Sequence, residues 1–131
     1  MNEKVTILVV EDDPLIQSIV EEALSDGGFQ PEITGSGEEA ITLLKGGLEY
    51  RAVVTDIKLL GRLDGWDVAR AAREIYPSIP VIYMTGTDGG DWASRGVPNS
   101  IILLKPFAPA QIVTALSNLL NAAAPPIPPT E

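Results

Sequence analysis

The chain has 131 residues, of which 45% are hydrophobic and 21% are charged, and its formal net charge is −9. This composition predicts one globular domain and argues against nucleic acid as a direct partner, because phosphate binding needs a cationic face. Cysteine and histidine are absent, which excludes disulfides, thiol chemistry, a histidine base and the common zinc sites. Any catalysis must therefore use carboxylates, hydroxyls, lysine or a metal.

No membrane span is predicted, because the sequence has no run of about 18 apolar residues. The opening MNEKVTILVV lacks a strongly basic start and a small-residue cleavage site, which favours a strand over a signal peptide. We therefore expect the protein to be cytoplasmic.

The N-terminal part predicts a buried strand followed by an amphipathic helix. The apolar run at residues 5–10 is typical of a fully buried strand. Asp13 suits the N-cap of a helix and Pro14 its first position, because proline needs no hydrogen-bonded N–H there. Apolar residues then recur at helical spacing until Gly27 and Gly28, which end the helix.

A second strand and helix follow. Residues 29–34 predict a weak strand, and Ser36 with Glu39 has the spacing of a capping box. In such a box each side chain accepts the backbone N–H of the other residue. Gly46 and Gly47 end this helix.

The next elements repeat the alternation. Residues 51–57, RAVVTDI, predict a third strand, and Asp64 suits the N-cap of a helix from Gly65 to about Tyr76. Residues 80–85, PVIYMT, predict the fourth strand.

The last part of the chain begins with a segment rich in glycine. Residues 86–100 contain four glycines and one proline and only weakly support a short helix at 88–95. Residues 101–105, IILLK, predict the fifth strand, and Pro109 opens the last helix. The domain is thus predicted over residues 1–122. The remaining residues, 123–131, form a Pro-rich C-terminal tail typical of extended or disordered segments.

Alternating strands and helices predict an α/β fold, a doubly wound five-stranded parallel sheet with helices on both faces. Ligands of such sheets collect at the carboxyl ends of the strands. One edge of the sheet should therefore gather three acids, a hydroxyl and an ammonium. These residues are Glu11, Asp12, Asp56, Thr85 and Lys105.

The strand-end residues lie in motifs that resemble the receiver domain of bacterial two-component response regulators. The motifs are ILVVEDDP, AVVTDIKL, DGWDVA, PVIYMTG and LLKPF, and they cover roughly residues 4–122. Each is weak alone, but an acid pair, an Asp, a Thr and a Lys-Pro on successive strand ends form a specific combination. The resemblance implies a flavodoxin-like strand order, 2-1-3-4-5.

The resemblance also implies a role for each site residue. Asp56 would be the phosphoacceptor that attacks a phosphohistidine of a sensor histidine kinase. Lys105 would pair with Asp56 and then with a phosphoryl oxygen, and Thr85 would contact another phosphoryl oxygen. Mg²⁺ is the implied cofactor, a hard ion that relieves the repulsion between a carboxylate and a phosphoryl group. Its implied ligands are Glu11, Asp12, Asp56 and the backbone carbonyl of Lys58.

Three features depart from the family pattern. The family usually has an aromatic residue three positions before the lysine of strand five, where this chain has Ile102, so Thr85 and Ile102 are the implied switch positions. The fourth helix should be stunted, because residues 86–100 are short and rich in glycine. The loop IKLLGRLDG after Asp56 lacks the usual proline and is one residue longer.

The predicted function is that of a stand-alone receiver, because no output domain follows the last helix, unless the tail begins a linker of a longer protein. It would be phosphorylated by a sensor histidine kinase or a phosphotransfer protein and act on a downstream protein, with phosphorylation-dependent homodimerisation as a further prediction. It would not be an enzyme beyond its own self-phosphorylation and autodephosphorylation. The main alternative is a pseudo-receiver that binds partners independently of phosphorylation.

Two alternatives of other classes are disfavoured. A phosphatase of the haloacid-dehalogenase type needs a second acid two residues after its nucleophile, where this chain has Lys58. A flavodoxin needs a phosphate-binding loop after the first strand, where this chain has acids.

Overall fold

The computed structural model describes residues 5–87 and 90–123. The strands are β1 (Thr6–Val10), β2 (Gln30–Thr34), β3 (Ala52–Asp56), β4 (Val81–Thr85) and β5 (Ser100–Leu104). The helices are α1 (Pro14–Asp26), α2 (Gly37–Leu44), α3 (Gly65–Ile75), α4 (Trp92–Arg95) and α5 (Pro109–Ala123). The ends of every strand lie within one residue of the predicted bounds.

The five strands form one parallel sheet in the order β2-β1-β3-β4-β5. Helices α1 and α5 pack together on one face, and α2 and α3 pack together on the other. The predicted fold class and the flavodoxin-like strand order are confirmed. The strand order reverses between β1 and β3, so the carboxyl ends of these two strands flank the crevice where such sheets bind ligands.

The core consists of two hydrophobic clusters, one on each face of the sheet. Leu8 and Val10 belong to the cluster under α2 and α3, whereas Ile7 and Val9 belong to the cluster under α1 and α5. Successive side chains of a strand point to opposite faces, so a continuous apolar run fills both clusters. The sheet is thereby held from both sides, which fixes the positions of its strand ends.

Two predicted helix caps are present. The Asp13 carboxylate accepts the Leu15 N–H at 2.9 Å at the start of α1. At the start of α3, Asp64 and Asp67 each accept the other's backbone N–H at 3.0 Å, which is a complete capping box. Asp13 and Asp64 therefore serve as the N-caps of α1 and α3.

The capping box predicted for α2 is only half formed. The Ser36 hydroxyl accepts the Glu39 N–H at 3.1 Å, as predicted. The Glu39 carboxylate instead accepts a hydrogen bond from the hydroxyl of Thr34. Thr34 is buried at the end of β2, and a buried hydroxyl needs a partner.

The glycine-rich segment after β4 forms one four-residue helix in its described part. Asp91 precedes α4 but makes no side-chain cap bond, and residues 88–89 of the predicted helix lie outside the described residues. The prediction of a stunted fourth helix agrees with the described part.

Helix α5 has 15 residues and includes Ala123, the first residue of the predicted tail. The rest of that tail lies outside the described residues, so the domain boundary stays a prediction. Over residues 5–87 and 90–123, every helix is too short or too polar to cross a bilayer.

Candidate functional site

Three carboxylates meet at the carboxyl edge of the sheet. Glu11 and Asp12 directly follow β1, and Asp56 is the last residue of the neighbouring strand β3. One carboxylate oxygen from each lies within 4.8 Å of the others. Glu11 is fully buried and Asp56 is 8% exposed. These hard oxygen ligands form a group that could hold a divalent cation.

Lys105 supplies a positive charge to this group of carboxylates, which we call the acidic cluster. Its ammonium lies 3.0 Å from Glu11 Oε1 and 3.4 Å from Asp56 Oδ2. The residue follows β5, and the Lys105–Pro106 bond is cis. The sequence predicted the pairing with Asp56 but not the shorter contact with Glu11. Glu11 is the more deeply buried of the two carboxylates, so its negative charge has the greater need of a partner.

Burial raises the pKa of Glu11 and the pKa of Asp56 above their usual values, although Lys105 acts to lower both. The charge of Asp56 raises the pKa of Glu11 further. Burial alone would lower the pKa of Lys105, but the hydrogen bond to Glu11 and the charges of both carboxylates outweigh it and raise that pKa. Ionising both Glu11 and Asp56 is thus unfavourable without more positive charge than one ammonium supplies.

Backbone N–H groups orient all three carboxylates. Asp13 N–H donates to Glu11 at 3.1 Å, Ile57 N–H to Asp56 at 3.0 Å, and Leu60 N–H to Asp12 at 3.0 Å. Such bonds hold each side chain in one orientation.

Thr85 ends β4, the strand beside β3, and is 4% exposed. Its hydroxyl lies 3.1 Å from the Thr87 hydroxyl and accepts the Thr87 N–H at 3.2 Å. The backbone of Lys105 donates to the Thr85 carbonyl at 2.7 Å. Thr87 was not among the predicted site residues, although the sequence TGT places a second hydroxyl two positions after Thr85.

A family model described as the response regulator receiver domain matches residues 7–117 of the chain. The chain belongs to this family. The match favours the receiver interpretation over the dehalogenase-type phosphatase and the flavodoxin.

Individual relatives agree with this assignment. A response regulator receiver protein from Sinorhizobium medicae is 48% identical, covers 93% of this chain and 98% of its own, and superimposes with a TM-score of 0.91. The receiver domain of the sensor histidine kinase PA1611 from Pseudomonas aeruginosa is 27% identical with a TM-score of 0.79, covering 91% and 99% of the two chains. That structure has a magnesium ion coordinated in its active-site cleft.

The response regulator MprA of Mycobacterium sp. (strain KMS) is 31% identical over 123 residues. The alignment covers 92% of this receiver chain but 53% of MprA. The chain thus spans about half the length of the curated relatives that it matches first.

The loop after β3 brings Lys58 to the edge of an open cavity of about 600 Å³ in this receiver. The Lys58 side chain is exposed, and Thr85, Thr87, Trp66 and Arg95 also line the cavity. The Lys58 carbonyl as a metal ligand stays a prediction.

Ile102, at the position where the family usually has an aromatic residue, lies beside an aromatic residue of the adjacent strand. Ile102 of β5 is half-buried and pairs in register with Tyr83 of β4, which is fully buried. The Tyr83 ring packs on Trp66 at 4.7 Å between centroids, and its hydroxyl accepts the Val97 N–H at 3.1 Å. An aromatic side chain therefore connects the strand of Thr85 to the segment between α4 and β5.

In the metal-free receiver, we expect Asp56→Asn to raise thermal stability over the wild type increasingly as pH rises from about 4 toward 8. Because burial raises the pKa of Asp56, the folded protein keeps this proton to a higher pH than the unfolded chain does. Above about pH 4, ionisation of Asp56 therefore destabilises the folded wild type, whereas the uncharged Asp56→Asn variant is not destabilised in this way. Melting curves in a chelator measure the difference.

The control for this comparison is Asp26→Asn, at the exposed end of α1. Asp26 lies outside the acidic cluster, so this variant shows what the loss of one acidic charge elsewhere does to the melting curves. A gain for Asp56→Asn that is largest at the acid end would contradict the electrostatic origin of the effect.

Proposed function

We propose that this receiver accepts a phosphoryl group on Asp56 from a sensor histidine kinase or a phosphotransfer protein, and signals through protein contacts. The observation that carries the proposal is the meeting of three carboxylates and one lysine ammonium at the ligand-binding edge of the sheet. Asp56 would be the nucleophile, because its carboxylate lies beside both the acid pair and the Lys105 ammonium.

Glu11, Asp12, Asp56 and the carbonyl of Lys58 would hold Mg²⁺. Bound Mg²⁺ supplies charge neutralisation for the phosphoryl oxygens. Glu11 already accepts the Lys105 ammonium and the Asp13 N–H, one on each oxygen, which favours Asp12 as a direct ligand and Glu11 as one acting through water. The magnesium ion in the PA1611 receiver supports the choice of metal.

Lys105 and Thr85 would bind the phosphoryl group once it is on Asp56. The Lys105 ammonium is 3.4 Å from Asp56 Oδ2, so a small displacement brings it to a phosphoryl oxygen. The Thr85 hydroxyl would leave Thr87 and donate to another phosphoryl oxygen, moving the end of β4. Thr85 and Ile102 are accordingly the proposed switch positions, with Tyr83 packed between their strands and α3.

Incubation with acetyl phosphate and Mg²⁺ is expected to add one phosphoryl group, detected by intact mass. Asp56→Asn should take up none, because an amide is not a nucleophile of this kind. Asp26→Asn, far along α1 from the site, should be phosphorylated like the wild type. Uptake by Asp56→Asn at another residue, or uptake by the wild type with a chelator present, would contradict the proposal.

A phosphorylation-independent pseudo-receiver is the second candidate, favoured by Ile102 and by the four-residue α4. It would take up no phosphoryl group from acetyl phosphate or from any of a panel of histidine kinases. The stand-alone state, phosphorylation-dependent homodimerisation and the cytoplasmic location stay predictions.

A further inference from the structure

The loop between β3 and α3 is held at two adjacent points by acidic side chains from elsewhere in the chain. Leu60 N–H donates to Asp12 Oδ2 at 3.0 Å, across 48 positions of sequence. Arg62 N–H donates to Glu38 Oε2 at 2.9 Å, across 24 positions. The two anchored residues and Gly61 between them form a short turn, residues 60–62.

Gly61 fits closely against the carboxylate of Glu38. Its φ angle is +100°, a conformation that glycine adopts most easily. A Cβ atom at this position would lie 2.9 Å from Glu38 Oε1 and 3.2 Å from Oε2. Glu38 thus contacts the turn both through the Arg62 N–H and along the backbone of Gly61.

Neither side-chain packing at Leu60 nor a proline restrains this turn. The Leu60 side chain is 73% exposed, and the loop has no proline to restrict its backbone. Glu38 lies in the first turn of α2, so its backbone is held by a helix. A negative charge is also favourable at this end of a helix. The hydrogen bond to Arg62 N–H also lowers the pKa of Glu38, which keeps the accepting carboxylate ionised.

We infer that Glu38 is a positioning residue for the acidic cluster. By holding Gly61 and Arg62, it places the Leu60 N–H against Asp12 and thereby fixes the orientation of a carboxylate that would bind the metal. This inference rests on the proposed Mg²⁺-binding role of Asp12. It also gives the lengthened loop after Asp56 a role, since the turn reaches both α2 and the end of β1.

The test compares Glu38→Ala with Glu38→Gln. We expect Glu38→Ala to raise the Mg²⁺ dissociation constant about tenfold, as loss of outer-shell partners of metal ligands commonly does. Glu38→Gln removes the charge but keeps an oxygen that can accept the Arg62 N–H, so its dissociation constant should stay close to that of the wild type. Calorimetric titration with MgCl₂ measures all three proteins.

A second readout needs no metal. In Glu38→Ala, the amide hydrogens of both Leu60 and Arg62 should exchange about fivefold faster by NMR, as expected when one hydrogen bond is lost. Leu60 is the decisive amide, because Glu38 does not bond to it. Glu22→Ala removes an exposed charge from α1 and should leave the exchange and the Mg²⁺ affinity unchanged.

The outcomes separate the inference from the function on which it rests. If Glu38→Ala binds Mg²⁺ like the wild type, or if Leu60 keeps its protection, the positioning role is overturned while the proposed function stands. If Glu38→Gln weakens binding as much as Glu38→Ala, the effect is one of net charge and the positioning role is again overturned. A wild type that does not bind Mg²⁺ would overturn both proposals.

Discussion

Replacing Gly65 with alanine is expected to lower the free energy of unfolding by about 3 kcal/mol, the upper part of the range for inserting atoms where no space exists. A Cβ atom on Gly65 would lie 2.2 Å from the carbonyl oxygen of Asp56 and 2.8 Å from the Cα of Ile57. Both are backbone atoms, so relief requires α3 to move away from the end of β3. That movement would also break the hydrogen bond that the Gly65 N–H donates to the Ile57 carbonyl at 2.8 Å. Denaturant unfolding followed by circular dichroism measures the loss.

The same substitution at Gly35 is the matched control. There the nearest atom to an added Cβ is Gln17 Nε2 at 3.9 Å, so we expect a change within about 0.5 kcal/mol. Gly65→Ala should also slow phosphoryl uptake, since it displaces the backbone of Asp56 itself. Equal stability of the two variants would mean that the first turn of α3 does not approach β3 as closely as described.

Replacing Lys105 with methionine is expected to slow phosphoryl uptake from acetyl phosphate by about 100-fold or more, the loss typical of removing one group that stabilises developing charge. Methionine keeps an unbranched side chain of similar length but carries no charge. The repulsion between Asp56 and the incoming phosphoryl oxygens would then be opposed by the metal alone. Rates of mass increase at saturating Mg²⁺ test this expectation.

Lys105→Met should also destabilise the metal-free protein by about 3 kcal/mol near pH 8, because it leaves a buried charge without its partner. Glu11 is fully buried, and Lys105 is its one ion-pair partner within residues 5–87 and 90–123. The raised pKa values of Glu11 and Asp56 make the loss smaller in acid, where both carboxyls are protonated, and larger as pH rises.

A double substitution tests whether charge is the cause of that loss. Adding Glu11→Gln to Lys105→Met removes the uncompensated carboxylate and should restore part of the stability. If the cost of Lys105→Met is the same at pH 4 and pH 8, or if Glu11→Gln only adds to it, lost packing rather than lost charge would be responsible.

The fold could be predicted almost completely because its signals are local. The apolar run before Glu11 had the length and composition of a buried parallel strand, and Asp13 and Asp64 had the chemistry of N-caps directly before helical spacing begins. The prediction for α2 was less accurate at one point. The spacing of Ser36 and Glu39 indicated a reciprocal capping box. The sequence could not show that the Glu39 carboxylate would accept the hydroxyl of Thr34 instead of the backbone N–H of Ser36.

The site could be predicted as a set of residues but not as a set of contacts. The strand-end rule indicated that Glu11, Asp56 and Lys105 would meet, because parallel strands end at the same edge. It could not show that Lys105 lies nearer to Glu11 than to Asp56. That difference depends on the depth of each carboxylate in the folded protein, which is set by packing across several strands.

The sequence by itself determined the alternation of strands and helices, the strand ends that carry the acids, the threonine and the lysine, and the absence of thiol and imidazole chemistry. Hydrophobic spacing, helix caps and residue types act over a few neighbouring positions, so they can be recognised before folding. Only the tertiary structure decided that Asp12 and Glu38 hold the loop after β3 at Leu60 and Arg62, and that Tyr83 lies across from Ile102. These contacts join residues between 19 and 48 positions apart, and only the packing of the whole sheet with its helices brings such groups within bonding distance.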